Sequence, residues 1–286
     1  MANLVQEKPK FSVAIQSDAY KKLINNTLGD PKKSQRFIAS ISSAVATTPA
    51  LQDCDAGTIL SGALLGEALG LSPSPQLGHF YLIPYKDTKN NKTNAQFQLG
   101  YKGYIQLAIR SGQYADLDVI EIREGEFLGR DKVTGKFNFE FIENEEERLL
   151  RPVIGYLGYF ELINGFRKTL YMSKKEMEMH ADTFSKAFNL KDYEKLKQGQ
   201  IPEKDLWRFS SFWYKNFDEM AFKTIIRRLL SKWGVMSIEM QDAVSKDMAV
   251  LHENGDYEYV DNPQNDNIQE AEITEPKKTV KLDEVE

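Results

Sequence analysis

Cysteine and histidine are scarce in this sequence. One cysteine, Cys54, and three separated histidines, His79, His180 and His252, occur among its 286 residues. A single cysteine excludes a disulfide framework, and no spacing here matches a Cys/His zinc site. We therefore expect neither a structural disulfide nor a zinc centre.

Long apolar runs and nucleotide-binding loops are also missing. No stretch approaches the roughly 20 apolar residues of a membrane span, and residues 1–30 lack the basic start and apolar run of a secretion signal. The phosphate-loop pattern G-x-x-x-x-G-K-[ST] is absent, and no glycine pattern completes a dinucleotide fingerprint. We expect a cytoplasmic protein with no membrane partner and no cofactor.

Acidic residues are unevenly distributed along the chain. The formal net charge is −5, from 37 Lys and Arg against 42 Asp and Glu. From Leu251 onward there are eleven Asp and Glu against three Lys, so residues 1–250 carry 34 cationic and 31 acidic side chains, a balance of +3. A near-neutral body binds phosphate when its cations cluster on one face. The positions of the cations therefore decide whether nucleic acid is a partner.

Capping residues divide the first 72 residues into helices. Ser17 and Asp30 precede two helical segments, and Pro31 occupies a first helical position, where its missing N–H costs nothing. Asp55 precedes a third helix that is rich in small residues. We predict a helical N-terminal part over residues 1–72, and we expect it to contribute to self-association.

Residues 79–172 have mainly the pattern of strands. The predicted strands are 79–85, 95–99, 117–127, 136–142, 153–163 and 166–172. Asn164-Gly165 is a strong hairpin-turn dipeptide, and residues 86–94 are predicted to be the loop of the first hairpin. A short helix from about Tyr101 to Arg110 interrupts the strands. The pattern predicts an α+β protein in which helices pack on a central antiparallel sheet to form a groove.

The last part of the sequence combines helices with an acidic tail. Ser173 to Glu176 has the pattern of a capping box, and residues 216–233 form a predicted amphipathic helix that ends at Gly234. Residues 182–212 are predicted to be helical pieces and loops. Beyond about Asp247 the apolar periodicity is lost. We predict one folded domain over residues 1–247 and a disordered acidic tail over residues 248–286.

The segment from Ala95 to Tyr114 holds the first candidate site. Lys102, Gln106 and Arg110 are spaced four apart on its helix and share one polar face. Such a face suits a single strand of nucleic acid, because cations neutralise phosphates, amides bond to backbone oxygens and rings stack on unpaired bases. The other candidates in the segment are Gln96, Gln98, Tyr101, Tyr104 and Tyr114. From spacing alone, an ordinary surface helix above core tyrosines is the commoner explanation of such a stripe.

The helix at residues 216–233 holds the second candidate site. Its cations are Lys223, Arg227, Arg228 and Lys232. No acidic residue occurs from Met220 until Glu239, so the part of the helix that carries these cations contains no acidic partner for them. They either face phosphate or complement the C-terminal end of the helix dipole.

Four further cations are weaker candidates. Lys86, Lys89 and Lys92 lie in the predicted hairpin loop, which either closes over nucleic acid or is simply solvated. Arg123 alternates with Glu121 on a predicted strand and either faces DNA or forms an ion pair.

A metal-dependent nuclease of phage recombination is the alternative class. Carboxylates on neighbouring strands can converge on two metal ions, and the candidates are Glu121, Glu124, Glu126 and Glu161. Exposed strand charge is the commoner explanation of such residues. Because no other catalytic motif is recognisable, we expect a protein without a catalytic site.

Several separated segments resemble, in order, the RecT family of phage and prophage single-strand annealing proteins. They are AQFQLGYKGYIQLAIRSGQY with YLIPYK before it and VIEIREGE after it, then GYFELINGF, MSKKEME and LLSKWGVMSIEMQDAV. The resemblance covers about Phe11 to Asp247. Separated matches in order are more specific than any one motif, and they favour the DNA-binding interpretation.

The resemblance implies an ATP-independent recombinase that anneals complementary strands in homologous recombination. Its implied partners are single-stranded DNA, the annealed duplex, further copies in a ring or helical filament, a phage 5′-to-3′ exonuclease and the single-strand-binding protein of a bacterial host. Carried onto this chain, the family's DNA-binding surface falls on Lys86, Gln98, Tyr101, Lys102, Arg110 and Arg123, with Lys223, Arg227, Arg228 and Lys232 completing the groove. The acidic tail either solubilises the protein, docks a partner or competes with DNA.

Overall fold

The computed structural model describes residues 9–87 and 90–259. The α-helices of these residues are α1 (Phe11–Ala14), α2 (Asp18–Leu28), α3 (Pro31–Thr47), α4 (Ala56–Ala68), α5 (Tyr101–Arg110), α6 (Glu145–Leu150), α7 (Lys174–Phe184), α8 (Leu190–Lys197), α9 (Phe212–Lys215), α10 (Phe217–Trp233) and α11 (Ile238–Lys246). The strands are β1 (Phe80–Asp87), β2 (Lys92–Leu99), β3 (Tyr114–Arg123), β4 (Phe127–Arg130), β5 (Phe137–Phe139), β6 (Val153–Leu162), β7 (Arg167–Ser173), β8 (Ala249–Leu251) and β9 (Tyr257–Tyr259). The predicted α+β class is confirmed.

The N-terminal helices begin where their capping residues predict. The side chains of Ser17, Asp30 and Asp55 each accept a backbone N–H from the first turn of α2, α3 and α4, respectively. Such caps satisfy donors that a helix start would otherwise leave without a partner. The helical N-terminal part is therefore confirmed, and its role in self-association stays a prediction.

The first sheet has the strand order β1-β2-β8-β9, and all its pairs are antiparallel. The predicted loop over residues 86–94 is wrong at both ends, because β1 continues to Asp87 and β2 begins at Lys92. Lys86 pairs with Thr93 in this hairpin. Lys86, Asp87, Lys92 and Thr93 are polar and are exposed or half-buried, so they lack the apolar–polar alternation by which strands are recognised.

The second sheet has the order β3-β6-β7, and β4 and β5 form a separate pair. The Asn164-Gly165 turn joins β6 to β7, as predicted. The predicted strand over residues 117–127 is wrong at both ends, since β3 runs from Tyr114 to Arg123. Gly125, with φ of 95°, turns the chain between β3 and β4. The expected central sheet is thus built from separate antiparallel sheets.

Helix α10 lies at the centre of the fold. It packs against α5 and against all three strands of the second sheet. Ile225, Ile226, Leu229 and Leu230 are fully buried there, and burial of each such side chain stabilises the fold by roughly 1.5–3 kcal/mol. One continuous hydrophobic core extends from Phe11 to Leu251.

The segment before α10 confirms two local predictions. Ser173 and Glu176 form the capping box that opens α7, and residues 182–212 contain α8, a 3-10 helix (Glu203–Arg208) and the start of α9. Within the described ranges, none of the helices combines the length and apolar composition that a membrane crossing requires.

The predicted end of order near Asp247 is wrong. Residues 249–251 form β8, which is entirely buried and pairs with β2, and residues 257–259 form β9. A three-residue strand is too short to show a period, so the sequence pattern did not reveal it. Residues 260–286, which hold most of the predicted tail, lie outside the described residues.

Candidate nucleic-acid interface

Helix α5 is held close to the segment that precedes β1. A Cβ atom at Gly100 would lie 2.1 Å from the carbonyl oxygen of Gly78, and one at Gly103 would lie 2.1 Å from that of His79. Glycine is therefore required at both positions for the helix to approach this segment. The approach fixes which face of α5 points outward.

The outward face carries the polar stripe that the sequence predicts. Lys102, Gln106 and Arg110 are exposed, whereas Tyr104 and Leu107 on the other side of the helix are buried. The Arg110 guanidinium donates to the Leu69 carbonyl at the end of α4 and, at 3.3 Å, to the Gln106 carbonyl. These bonds hold the guanidinium at the surface.

The positive charges of Lys102 and Arg110 both affect the His79 side chain. Burial, then Arg110 and then Lys102 lower the pKa of the His79 imidazole. Both cations therefore contribute positive potential beside this ring. A shared positive potential at the surface is what a phosphate backbone requires.

The three tyrosines of the segment have different environments. Tyr101 is half-buried, with its ring centroid 5.5 Å from that of Phe222. Tyr104 is fully buried and donates to Asp247, and the Tyr114 hydroxyl donates to the Val235 carbonyl at 2.8 Å. The prediction that these rings flank the polar stripe is wrong for Tyr104, which belongs to the core.

Gln96 and Gln98 do not extend the exposed surface, which corrects their assignment. Both are buried, and Gln98 donates to the Gln96 side chain at 2.8 Å. Because β2 lies between β1 and β8, and α10 covers this face near Gln98, the polar side chains of β2 point into the molecule. In this structure Gln98 does not present its amide to DNA.

The sequence left open that all four cations of α10 face DNA, but two of them are paired to a carboxylate within the protein. Lys223 is buried, and its ammonium lies 2.8 Å from the Asp247 carboxylate. The Arg227 guanidinium is 3.5 Å from the same carboxylate. The missing acidic partner is thus supplied from after α11, and Lys223 cannot form a wall of a DNA groove here.

Arg228 and Lys232 lie on the exposed part of α10. The Arg228 guanidinium is 3.4 Å from the Met172 sulfur, and the Lys232 ammonium lies 4.8 Å from the ring centroid of Trp233. Burial, then Arg228 and Arg227, lowers the pKa of His180 to about 4. Arg227 and Arg228 thus form a second basic cluster beside His180, as Lys102 and Arg110 form the first beside His79.

Lys86 and Arg123 also differ in whether their charge is available to an external anion. Lys86 is exposed on β1. Arg123 forms an ion pair with Glu121 at 2.7 Å and donates to the carbonyls of Leu149 and Arg151, so the ion-pair alternative for Arg123 is the one observed. Lys89 lies outside the described residues.

Ion pairing therefore divides the predicted cations into two groups. Among the described residues, no carboxylate lies within 4 Å of one group, which comprises Lys86, Lys102, Arg110, Arg228 and Lys232; the second group, Arg123, Lys223 and Arg227, is paired to carboxylates. The first group keeps its charge available for an external anion.

Three of the four carboxylates of the nuclease alternative are each paired to a different arginine. Glu121 pairs with Arg123 at 2.7 Å, and Glu161 pairs with Arg167 at 2.9 Å. Glu126 is fully buried and pairs with Arg148 at 2.7 Å. Burial favours the protonated form of Glu126, but hydrogen bonds from Arg148 and from backbone N–H groups outweigh it and lower the pKa.

A two-metal nuclease requires carboxylates that converge on the metal ions, and these pairs do not provide such a cluster among the described residues. Within residues 9–87 and 90–259, no group of three or more His, Cys, Asp or Glu side chains is arranged to hold a metal ion. Internal ion pairs therefore account for three of the four carboxylates that motivated the nuclease alternative.

Asp247 is the important residue that sequence reasoning missed. Its carboxylate accepts hydrogen bonds from the Leu99 N–H at 2.8 Å and the Tyr104 hydroxyl at 3.0 Å, in addition to the two cations of α10. One signal was available: a lone acid precedes the apolar residues 248–251, which is typical of a charge at the edge of a core.

Similarity to known proteins extends over most of the chain. The model of the RecT family matches residues 35–265. The chain is 40% identical over 214 residues to Uncharacterized protein YqaK of Bacillus subtilis (strain 168), an alignment that covers 74% of this chain and 64% of that protein. It is 34% identical over 221 residues to Protein RecT of Escherichia coli (strain K12), which covers 74% of this chain and 71% of that protein.

The aligned region is thus less than two thirds of the Bacillus subtilis protein and somewhat more than two thirds of the Escherichia coli protein. The family model covers most of the chain, and both relatives exceed 30% identity. The chain belongs to the RecT family.

Proposed function

We propose that this protein binds single-stranded DNA and anneals it to a complementary strand in homologous recombination, without ATP and without a catalytic site. The observation that carries the proposal is the set of cations that have no carboxylate within 4 Å among the described residues, above all Lys102 and Arg110 on the exposed face of α5. Family membership supports the same activity.

The α5 stripe provides the primary contact with the DNA backbone. Lys102 and Arg110 neutralise phosphates, and the exposed Gln106 amide between them bonds to sugar or phosphate oxygens. The half-buried Tyr101 offers part of its ring for stacking, which contributes roughly 1–3 kcal/mol per base where a base does stack. Lys86, Arg228 and Lys232 supply additional positive charge along the path of the strand or of its complement.

Annealing requires no catalytic group. Stacking in a duplex is favourable by about 1.4 kcal/mol per base step, so the protein needs only to lower phosphate repulsion and to leave the pairing edges of the bases open. Contacts through the backbone achieve both. Binding is therefore expected to depend strongly on salt and little on sequence, and the annealed duplex remains bound.

Other copies and other recombination proteins complete the proposal. We infer that the protein assembles on DNA as a ring or helical filament in the cytoplasm of a bacterial cell. A phage 5′-to-3′ exonuclease supplies the single strand, and the single-strand-binding protein of the host is the second partner. The acidic residues 260–286 act as a solubilising segment, a docking segment or a competitor for the DNA surface, and the truncation described in the Discussion distinguishes these roles.

The experiment that tests the function adds one oligonucleotide and then its complement, in EDTA and without nucleotide. Rapid duplex formation within a stable complex is expected. Binding without faster pairing would instead identify a passive coating protein, and cleavage that appears only after Mg²⁺ is added would identify a nuclease. Either result would contradict the proposal.

A further inference from the structure

One end of the second sheet exposes an apolar patch, which we name the basic-end patch. The end of α5, the β6–β7 turn and the segment after α10 meet there, through a 3.0 Å hydrogen bond from the Ile163 N–H to the Gln113 carbonyl and the Tyr114 bond to Val235. The patch consists of the exposed side chains Ile109, Ile163, Phe166, Val235 and Ile238. Ile238 is 84% exposed, so water covers apolar surface that a partner would bury with a gain in free energy.

Cations surround the basic-end patch. Arg110 lies at the end of α5, and the ammonium groups of Lys168 and Lys232 lie 4.7 and 4.8 Å from the ring centroid of Trp233. Three acids also lie at this end: Glu239, and Asp116 and Glu161, which pair in register on β3 and β6. Glu161 forms an ion pair with Arg167 at 2.9 Å. Four cations thus stand against three acids, and the charge around this patch is weakly positive.

The other end of the same sheet exposes a second apolar patch, which we name the acidic-end patch. It consists of Phe141, Leu149 and Leu150, and Leu150 is 87% exposed. Residues 140–151 contain five Glu and two Arg; Arg148 turns inward to the buried Glu126, and Arg151 pairs with Glu147. The charge around this patch is therefore mainly negative.

The two patches lie at opposite ends of β6. At one end, Val153 pairs with Arg123, whose guanidinium donates to the Leu149 and Arg151 carbonyls at the end of α6. At the other end, Leu162 pairs with Tyr114 beside the basic-end patch. A ten-residue strand spans about 30 Å. At this separation the patches of one molecule cannot cover each other, but those of two molecules can.

We propose that the basic-end patch of one copy binds the acidic-end patch of the next copy. The occupant of each patch is a second copy of this chain, because both surfaces are apolar and their surrounding charges are opposite in sign. Such a head-to-tail contact joins two different surfaces, so it generates a ring where the rotation closes and a helical filament where it does not. The proposal rests on the self-association inferred above and names the surface that produces it.

Two polar double variants test this interface in the full-length protein. Leu149→Ser with Leu150→Ser removes the acidic-end patch, and Ile163→Ser with Ile238→Ser removes the basic-end patch. Sedimentation of each variant, with and without a single-stranded oligonucleotide, should show assembly only at roughly tenfold or more higher protein concentration than the wild type, because a few central side chains dominate an interface. All four side chains are exposed, so unfolding midpoints should stay at the wild-type value.

Mixing the variants gives the sharper result. Each retains the patch that the other lacks. At a concentration at which the wild type assembles, an equimolar mixture should therefore form heterodimers and nothing larger, while each variant alone stays monomeric. The matched control is Met179→Ser with Leu206→Ser, two exposed apolar residues of α7 and of the 3-10 helix, which should assemble as the wild type does.

The outcomes separate the interface from the function. Wild-type assembly by both patch variants, or loss of assembly in the control alone, would overturn the interface while leaving self-association intact. A wild-type protein that stays monomeric on DNA would overturn both proposals. Affinity for an oligonucleotide short enough to bind one subunit should be unchanged in both patch variants.

Discussion

The Lys223 ammonium lies 2.8 Å from the Asp247 carboxylate, and both side chains are buried. Asp247 also accepts hydrogen bonds from β2 and α5, through Leu99 and Tyr104. One carboxylate therefore joins the strand and the two helices around which the candidate interface is built. It also fixes the point at which the chain enters β8.

Replacement of Asp247 should strongly destabilise the protein. Asp247→Asn removes the carboxylate charge that the buried Lys223 ammonium faces at 2.8 Å, and breaking a buried pair in this way costs about 3–5 kcal/mol. Chemical unfolding of the two proteins measures the difference. The control is Asp242→Asn, which removes a surface pair with Lys246 and should cost at most about 0.5 kcal/mol. Equal effects of the two substitutions would contradict the role assigned to Asp247.

The cations of α5 should determine the salt dependence of DNA binding. Lys102→Ala and Arg110→Ala should each weaken binding to all sequences and should each reduce the slope of log K against log salt by about 1, because each removes one phosphate contact. Titrations between about 50 and 200 mM salt measure the slope. Lys223→Met is the contrasting variant, since it should lower stability but leave the slope unchanged. A changed slope in that variant would show that Lys223 reaches DNA.

His180 should make the protein less stable in mild acid. Its folded pKa of about 4 lies below its ordinary value of 6.5, mainly because of burial and then because of Arg228 and Arg227. Above pH 6.5 the ring is neutral in both states; as the pH falls from 6.5 to 4, only the unfolded chain gains the proton, so stability is lost.

The measurement compares the free energy of unfolding of the wild type and His180→Gln at pH 7.5 and pH 4.5. The advantage of the wild type should shrink by about 1–2 kcal/mol at the lower pH, since partial exposure of the ring weakens the effect. A difference that is constant with pH would rule out the assigned environment of His180.

Two truncations should have opposite effects. A chain that ends after Tyr259 retains β8 and β9 and should unfold like the full-length protein. A chain that ends after Asp247 loses the buried β8, where each of two aliphatic side chains contributes roughly 1.5–3 kcal/mol, and should be severely destabilised. Thermal unfolding distinguishes them, and equal stability would show that β8 is dispensable.

The DNA affinity of the chain that ends after Tyr259 distinguishes the roles of residues 260–286. Tighter binding than in the full-length protein is expected if these acidic residues compete with DNA. Unchanged affinity with weaker binding to a partner protein would favour docking.

Local signals predicted much of the fold. The caps at Ser17, Asp30 and Asp55, the Asn164-Gly165 turn and the capping box at Ser173 each act within a few residues, so the sequence alone locates them. Strand β8 pairs with β2, which is distant in sequence, and the residues at the tip of the first hairpin show no alternation of buried and exposed side chains. No local pattern contains that information.

The candidate site was predictable on α5 but not on α10. The four-residue spacing of Lys102, Gln106 and Arg110 fixes their common face whatever surrounds the helix. The availability of Lys223 instead depends on Asp247, 24 residues farther along the chain. In the same way, Gln98 alternates like an exposed residue, but β2 is covered on both faces by elements that the spacing does not reveal.

The most direct test of the central claim is the rate at which complementary oligonucleotides anneal, measured by stopped-flow fluorescence in EDTA and without nucleotide. We predict that the wild type accelerates duplex formation well above the protein-free rate, and that the Lys102→Ala and Arg110→Ala double variant loses most of this acceleration while keeping the wild-type unfolding midpoint to within a few degrees. Undiminished acceleration by a folded double variant would contradict the claim that the exposed cations of α5 bind the DNA that this protein anneals.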